Sequence, residues 1–175
     1  MWIAIGIVAL LILSVLVVAS TRPNEIRVQR SARINASPER IFPHINDFNR
    51  WVNWSPYESL DPDMRKTMSG APSGTGAIYE WDGNSKAGKG RMEILDSSAP
   101  TRLDIKLDFE RPFKAKNTAR FALAPSGSAT DVTWSIRGPQ PFMSKVMSIF
   151  LNMDNLIGRD FERGLQNLKS VAEHS

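Results

Sequence analysis

Nine apolar residues near the C terminus recur at steps of three or four: Phe142, Val146, Ile149, Met153, Ile157, Phe161, Leu165, Leu168 and Val171. That is the spacing of one helix face. The stripe lies within Pro141–Ala172, and a straight helix of that length spans ~45 Å. A helix striped on one side must bury the stripe against another element. The segment before it therefore has to supply an apolar surface.

That surface reads as a sheet. In Thr101–Glu110, Leu103, Ile105, Leu107 and Phe109 alternate with Arg102, Asp104, Lys106 and Asp108. Phe113–Leu123 and Thr130–Arg137 alternate in the same way, with Val132, Trp134 and Ile136 inward in the latter. Alternation of period two marks strands with one buried face. Pro- and Gly-containing breaks at 111–112, 125–127 and 138–141 separate them, as hairpin connections require. Glu25–Asn35 gives a first strand, with Arg30 interrupting its apolar face. Ser37-Pro38-Glu39 opens a short helix, and Phe48–Trp54 a second. Weaker strands follow at 64–68, 77–81 and 88–95. The expected architecture is α+β. An antiparallel sheet of about six to seven strands curves around a long C-terminal helix, with two short helices after the first strand. Asn155, Gly158 and Gly164 lower helix propensity, which implies close packing on the sheet or a bend near 152–158.

Residues 1–20 carry no charge, about the length needed to cross a bilayer. The chain thus divides into a transmembrane anchor at 1–20, a linker at 21–25 and a domain at 26–173. The competing reading is a cleaved signal peptide ending at Val17-Val18-Ala19. The missing basic n-region and the length of the apolar run favour the anchor. Arg22, Arg27, Arg30 and Arg33 follow the span, which points to a single-pass protein with its domain on the cytoplasmic side.

Among 175 residues there is no cysteine, which removes disulfides and thiolate chemistry. The net charge of +4 is dispersed, without a basic run, and argues against nucleic acid.

Three stretches, INASPERIFPHINDFNRWVNWSP, LDFERPFKAKNTARFAL and NMDNLIGRDFERGLQNLK, together with the element order, resemble the SRPBCC superfamily. This superfamily is also called START-like or polyketide-cyclase-like and has a helix-grip fold. The resemblance covers Ile26–Ala172. It implies a cavity between sheet and C-terminal helix. Relatives of this kind include lipid carriers, hormone receptors, cyclases and chaperone cofactors, so fold and function are argued separately.

The side chains name no catalytic constellation. His44 and His174 have no metal-ligand spacing, and no metal or cofactor is expected. Gly74-Thr75-Gly76 and Gly88-Lys89-Gly90 suit hairpin ends better than phosphate loops. The candidate cavity-lining residues are aromatic, Met and polar. They are Trp51, Trp54 and Tyr57 after the first helix; Tyr79, Glu80, Trp81, Asn117 and Trp134 on strands; and Met143, Met147, Phe150 and Met153 on the long helix. Asn117 stands on an otherwise apolar face, where an amide would orient a ligand or bond a neighbour. Each aromatic, taken singly, also suits ordinary core packing. The expected function is a membrane-anchored binding protein for a hydrophobic small molecule or lipid. The alternatives are a cyclase- or aromatase-like enzyme and a chaperone-cofactor-like interaction domain. Ligand access is expected between the first half of the helix and Trp51–Tyr57.

Overall fold

The computed structural model describes residues 2–174, with side chains described from Ile5 onward. The elements run α1 (Trp2–Thr21), β1 (Glu25–Ile34), α2 (Pro38–Asn46), two 3-10 turns (Phe48–Asn53 and Pro56–Ser59), β2 (Arg65–Gly70), β3 (Ala77–Asp82), β4 (Lys89–Ser98), β5 (Arg102–Arg111), β6 (Ala115–Ser126), β7 (Ala129–Pro139), α3 (Phe142–Phe150) and α4 (Met153–His174). The seven strands form one antiparallel sheet in the order β1-β7-β6-β5-β4-β3-β2. Every neighbouring pair except β1–β7 is a sequential hairpin, as the alternating segments and short breaks predict.

The sheet's inner face carries Val28, Val132, Trp134, Ile136, Ala119, Phe121, Leu123, Leu103, Ile105, Met92, Ile94, Tyr79 and Trp81, all buried. Two pieces cover it. α4 packs mainly along β1 and buries Phe161, Leu165, Leu168 and Ala172. The 3-10 turns bring Trp51 and Trp54 against the centre, where both rings contact Phe121. Each large side chain so buried contributes ~1.5–3 kcal/mol.

Arg30, the residue that interrupts the apolar face of β1, finds partners on α4. Its guanidinium binds Asp154 at 2.9 Å and Glu162 at 2.7 Å. Those hydrogen bonds raise its pKa above the ordinary arginine value and hold the Asp154 carboxyl below the usual range. The two weak helix formers have a steric reason. A Cβ on Gly158 would come within 2.0 Å of Arg30 Nη2, and one on Gly164 within 2.7 Å of the Trp134 ring and 3.0 Å of Pro56. Both glycines let α4 approach the sheet more closely than any side chain would permit.

Two expectations need correction. The C-terminal stripe is not one helix. It breaks after Phe150, and Asn152 starts a new helix by accepting the Asn155 N–H at 3.0 Å. An asparagine oxygen that satisfies a free first-turn N–H favours a helix start over a continuous helix. The second concerns residues 1–20. Among the described residues no helix is long and apolar enough to cross a membrane, so the structure does not support the expected transmembrane span.

Candidate functional site

The expected lining residues fall into three groups. Trp51, Trp54, Tyr57, Tyr79, Trp81 and Trp134 come together in one aromatic cluster with Phe48, Phe109, Phe121 and Phe161. Ring centroids lie 4.9 Å apart for Trp51–Trp54, 5.5 Å for Trp54–Trp134 and 5.0 Å for Phe121–Trp134. Phe161 of α4 stacks on Trp134 at 4.0 Å. Trp51 Nε1 donates to the Ile45 carbonyl at 3.0 Å, and Trp54 Nε1 to the His44 carbonyl at 2.9 Å. Such indoles are tied to the backbone of α2 and act as packing. The centre of the expected cavity between sheet and α4 is therefore filled by rings.

The second group is displaced. Met143, Met147 and Phe150 are exposed on α3, and α3 packs against α1 instead of the sheet. They do not lie beneath α4, because the interruption of the helix at 151–152 turns α3 toward α1. Glu80 is also exposed, since Tyr79 and Trp81 occupy the inner face of β3.

The third group lies at one end of the inner face. Leu107 is paired with Asn117 and Phe109 with Ala115, and all four are only half-buried. Tyr57, Met153 and Ile157 are half-buried too. Trp81 and Phe109 mark the boundary with the packed half, their rings 5.6 Å apart. Asn117 lies over Gly138, where a Cβ would meet its amide oxygen at 2.0 Å. Among the described residues none hydrogen-bonds this amide. Four side-chain atoms, Trp134 Nε1, Ser55 Oγ, His44 Nδ1 and Asp108 Oδ1, are buried without a partner among the described residues. Leaving such an atom unpaired costs ~1–3 kcal/mol unless a ligand or water supplies the bond. Burial raises the Tyr57 phenol above its ordinary pKa, helped by the Asp160 charge, so the hydroxyl is neutral and able to donate.

One constellation escaped the sequence reading. The Glu58 carboxylate accepts from the Tyr79 hydroxyl at 2.9 Å and binds the Lys66 ammonium. Burial first, and then the Glu58 charge, push the Tyr79 phenol up. Glu58 sits in a 3-10 turn and Lys66 on edge strand β2, with no periodicity linking them. The carboxylate is engaged at both oxygens, an arrangement that satisfies a buried tyrosine.

Two hollows stand out beyond this face. One of 140 Å³ lies beside β2, lined by Phe48, Met68, Gly70, Pro72 and Ile78 among others. The other, 530 Å³, lies between Leu95, Lys106, Asp108, Lys116 and Arg137 of the outer face and also borders Asn117 and Gly138. Most of the residues around it are polar or charged, but the surface they turn to it is mostly apolar. No group of metal-binding side chains occurs among the described residues.

Seven antiparallel strands gripped by a C-terminal helix accord with the family described as polyketide cyclase / dehydrase and lipid transport, which matches residues 25–173. The chain belongs to this family. No curated protein matches the sequence. Solved structures share the fold at low identity. CV1439 from Chromobacterium violaceum is 17% identical with a TM-score of 0.58, covering 87% of this chain and 99% of that one. MLL2253 from Mesorhizobium loti is 12% identical at 0.64, covering 86% and 98%. DynU16, from the dynemicin biosynthetic locus, is 18% identical at 0.57, covering 87% of this chain and 48% of its own. At such identities the likeness to these structures concerns the fold alone.

Proposed function

We propose that this domain binds a hydrophobic small molecule or lipid at the half-open end of its inner face. The observation that supports it is the contrast within that face. One half is filled by rings, whereas toward the other Tyr57, Leu107, Phe109 and Ile157 border the core only half-buried, and Asn117 on the same face has an amide unpartnered among the described residues. An apolar lining with few polar groups suits a ligand recognised by shape and a single hydrogen bond. The family description, with its lipid transport, supports the same class. On this reading the ligand lies in an open groove beside the first turns of α4, its apolar part against Leu107 and Phe109.

A second reading, a cyclase- or dehydrase-like enzyme, draws on the family description. It requires an acid or base facing the groove, and Tyr57 is the nearest titratable group. Attachment to a membrane through residues 1–20, with the domain on the cytoplasmic side, belongs to the proposal as well. The exposed apolar side chains from Ile5 to Val18 support it, as do the arginines that follow. Protease accessibility in intact cells and inverted vesicles tests the side.

The ligand reading is tested by native mass spectrometry of the protein purified from its own membranes, with extraction of bound lipid. A retained hydrophobic species in the wild type, lost in Leu107→Asp with folding intact, supports it. Protein that is consistently empty sinks it.

A further inference from the structure

On α3 the usual burial order is inverted. Its only charged residue, Lys145, is buried, with Nζ donating to Asn24 Oδ1 at 2.5 Å. Phe142, Met143, Met147 and Phe150 are exposed, Met143 at 69% and Phe150 at 72%, and Leu151 follows at 48%. A helix that turns its lysine inward and its phenylalanines outward is suited to an apolar medium. Its position is fixed. The Gln140 N–H donates to the Asn24 carbonyl at 2.8 Å, and the helix packs on α1.

The strand register brings a second apolar element to the same end. The start of β1 lies opposite the end of β7, with Glu25 across from Pro139. Arg137 is across from Thr118 near the start of β6, and Phe109 at the end of β5 from Ala115. The β5–β6 turn therefore sits at the end where α1 leaves and α3 begins. That turn carries Phe113, 66% exposed. Lys89 opposite Arg111 and Asp82 opposite Lys89 bring the β3–β4 turn there too. Arg22, Lys86, Lys114 and Lys116 are exposed at this end and make no ion pair among the described residues. The turns at the other end, 71–76, 99–101 and 127–128, contain no large apolar side chain.

We propose that this end of the domain docks on an anionic lipid bilayer. α3 lies in the interface with its Phe and Met face toward the acyl chains, Phe113 inserts, and the four basic side chains meet the headgroups. Two observations select a bilayer over a second copy of the chain. The apolar surface of α3 continues into the exposed apolar surface of α1, and free basic residues flank it. The half-open groove faces the same way. On the proposed ligand reading, cargo passes between bilayer and groove without crossing water. The docking does not depend on that reading; the route of the cargo does.

The absence of cysteine makes single-site labelling direct. Phe113→Cys, Phe150→Cys and, at the opposite end, Ser128→Cys variants of the full chain carry a nitroxide. Each is reconstituted into nanodiscs of phosphatidylcholine with or without phosphatidylserine. With the anionic lipid, the labels at 113 and 150 should be open to oxygen and shielded from a water-soluble nickel chelate, and the label at 128 the reverse. Changing Lys86, Lys114 and Lys116 to Gln should remove the shielding at 113, with circular dichroism unchanged. Nickel access at both 113 and 150 overturns the proposal. So does close approach of labels from two chains, which assigns the surface to a second copy. Shielded labels on protein found empty by native mass spectrometry uphold the docking and overturn only the cargo reading.

Discussion

The two ends of the sheet's inner face are built from similar residues and behave differently. Toward the far end, Ile34, Ile41, Ile45, Leu103, Leu165 and Leu168 are almost inaccessible, sealed by α2 and the last turns of α4. Toward the near end, Leu107, Phe109, Ala115 and Asn117 continue the same alternation but stay half-open. Strand pattern is equal in both. The difference is cover, because α4 begins only at Met153 and the residues before it turn away with α3. A sheet face is core only where another element closes it.

The sharpest test of that contrast pairs two aromatic deletions. Trp134→Ala, in the packed half, should lower unfolding free energy by ~3–5 kcal/mol. Phe109→Ala, at the open end, should cost ~1–2 kcal/mol, since less apolar area is lost. Urea unfolding followed by circular dichroism measures both, and equal losses would erase the distinction. Next comes the close approach of α4. Gly164→Ala forces a methyl against Trp134 and Pro56 and should cost ~1–3 kcal/mol. An unchanged midpoint would mean that the helix can lift without loss.

The boundary between the ends is held by Arg30. Arg30→Met should leave the unfolding midpoint nearly unchanged, because its carboxylate partners are exposed and such pairs contribute little. Amide exchange at residues 153–162 should nevertheless quicken, with 165–172 unaffected. The smallest effect lies in pH. His44 is buried, and its pKa is lowered from an ordinary value of 6.5, first by burial and then by the Arg50 charge. The unfolded chain therefore takes up the proton more readily than the folded one. The neutral ring's contribution is intact above about pH 6.5 and is lost progressively as pH falls below it. His44→Gln should flatten the fall in melting temperature between neutral and mildly acid pH; an unchanged slope would exonerate His44.

Much of the fold was legible because its signals are local. Alternation marked β5, β6 and β7, and turn residues marked their ends. Gly158 and Gly164 were visible as anomalies, but their reason, the Arg30 guanidinium and the Trp134 ring beneath them, lies on strands far outside the reach of helical periodicity. The candidate site was less legible. Trp51, Trp54 and Trp134 taken singly read more readily as core than as ligand contacts, and nothing local decided it, because an aromatic carries no mark of what fills the space beside it. Phe142, Val146 and Ile149 carried the helical period on to Met153 across residues 151–152, so periodicity alone joined two helices that the fold separates. Glu58, Tyr79 and Lys66 share no spacing, and only the pairing of β2 with β3 brings them within reach.

By itself, the sequence determined the layers of this protein: a meander of strands with one apolar face, a helix to cover it, and a leading stretch without charge. These follow from periodicity and composition, which act over a few residues. The tertiary structure decided where the cover stops. Whether the C-terminal stripe gripped the whole sheet or only half depended on Asn152 starting a new helix and on Asn24 holding α3 beside α1 through Lys145. The first is a local cap that competes with helix continuation, the second a hydrogen bond across the length of the chain that no local pattern encodes, and together they leave one end of the inner face open.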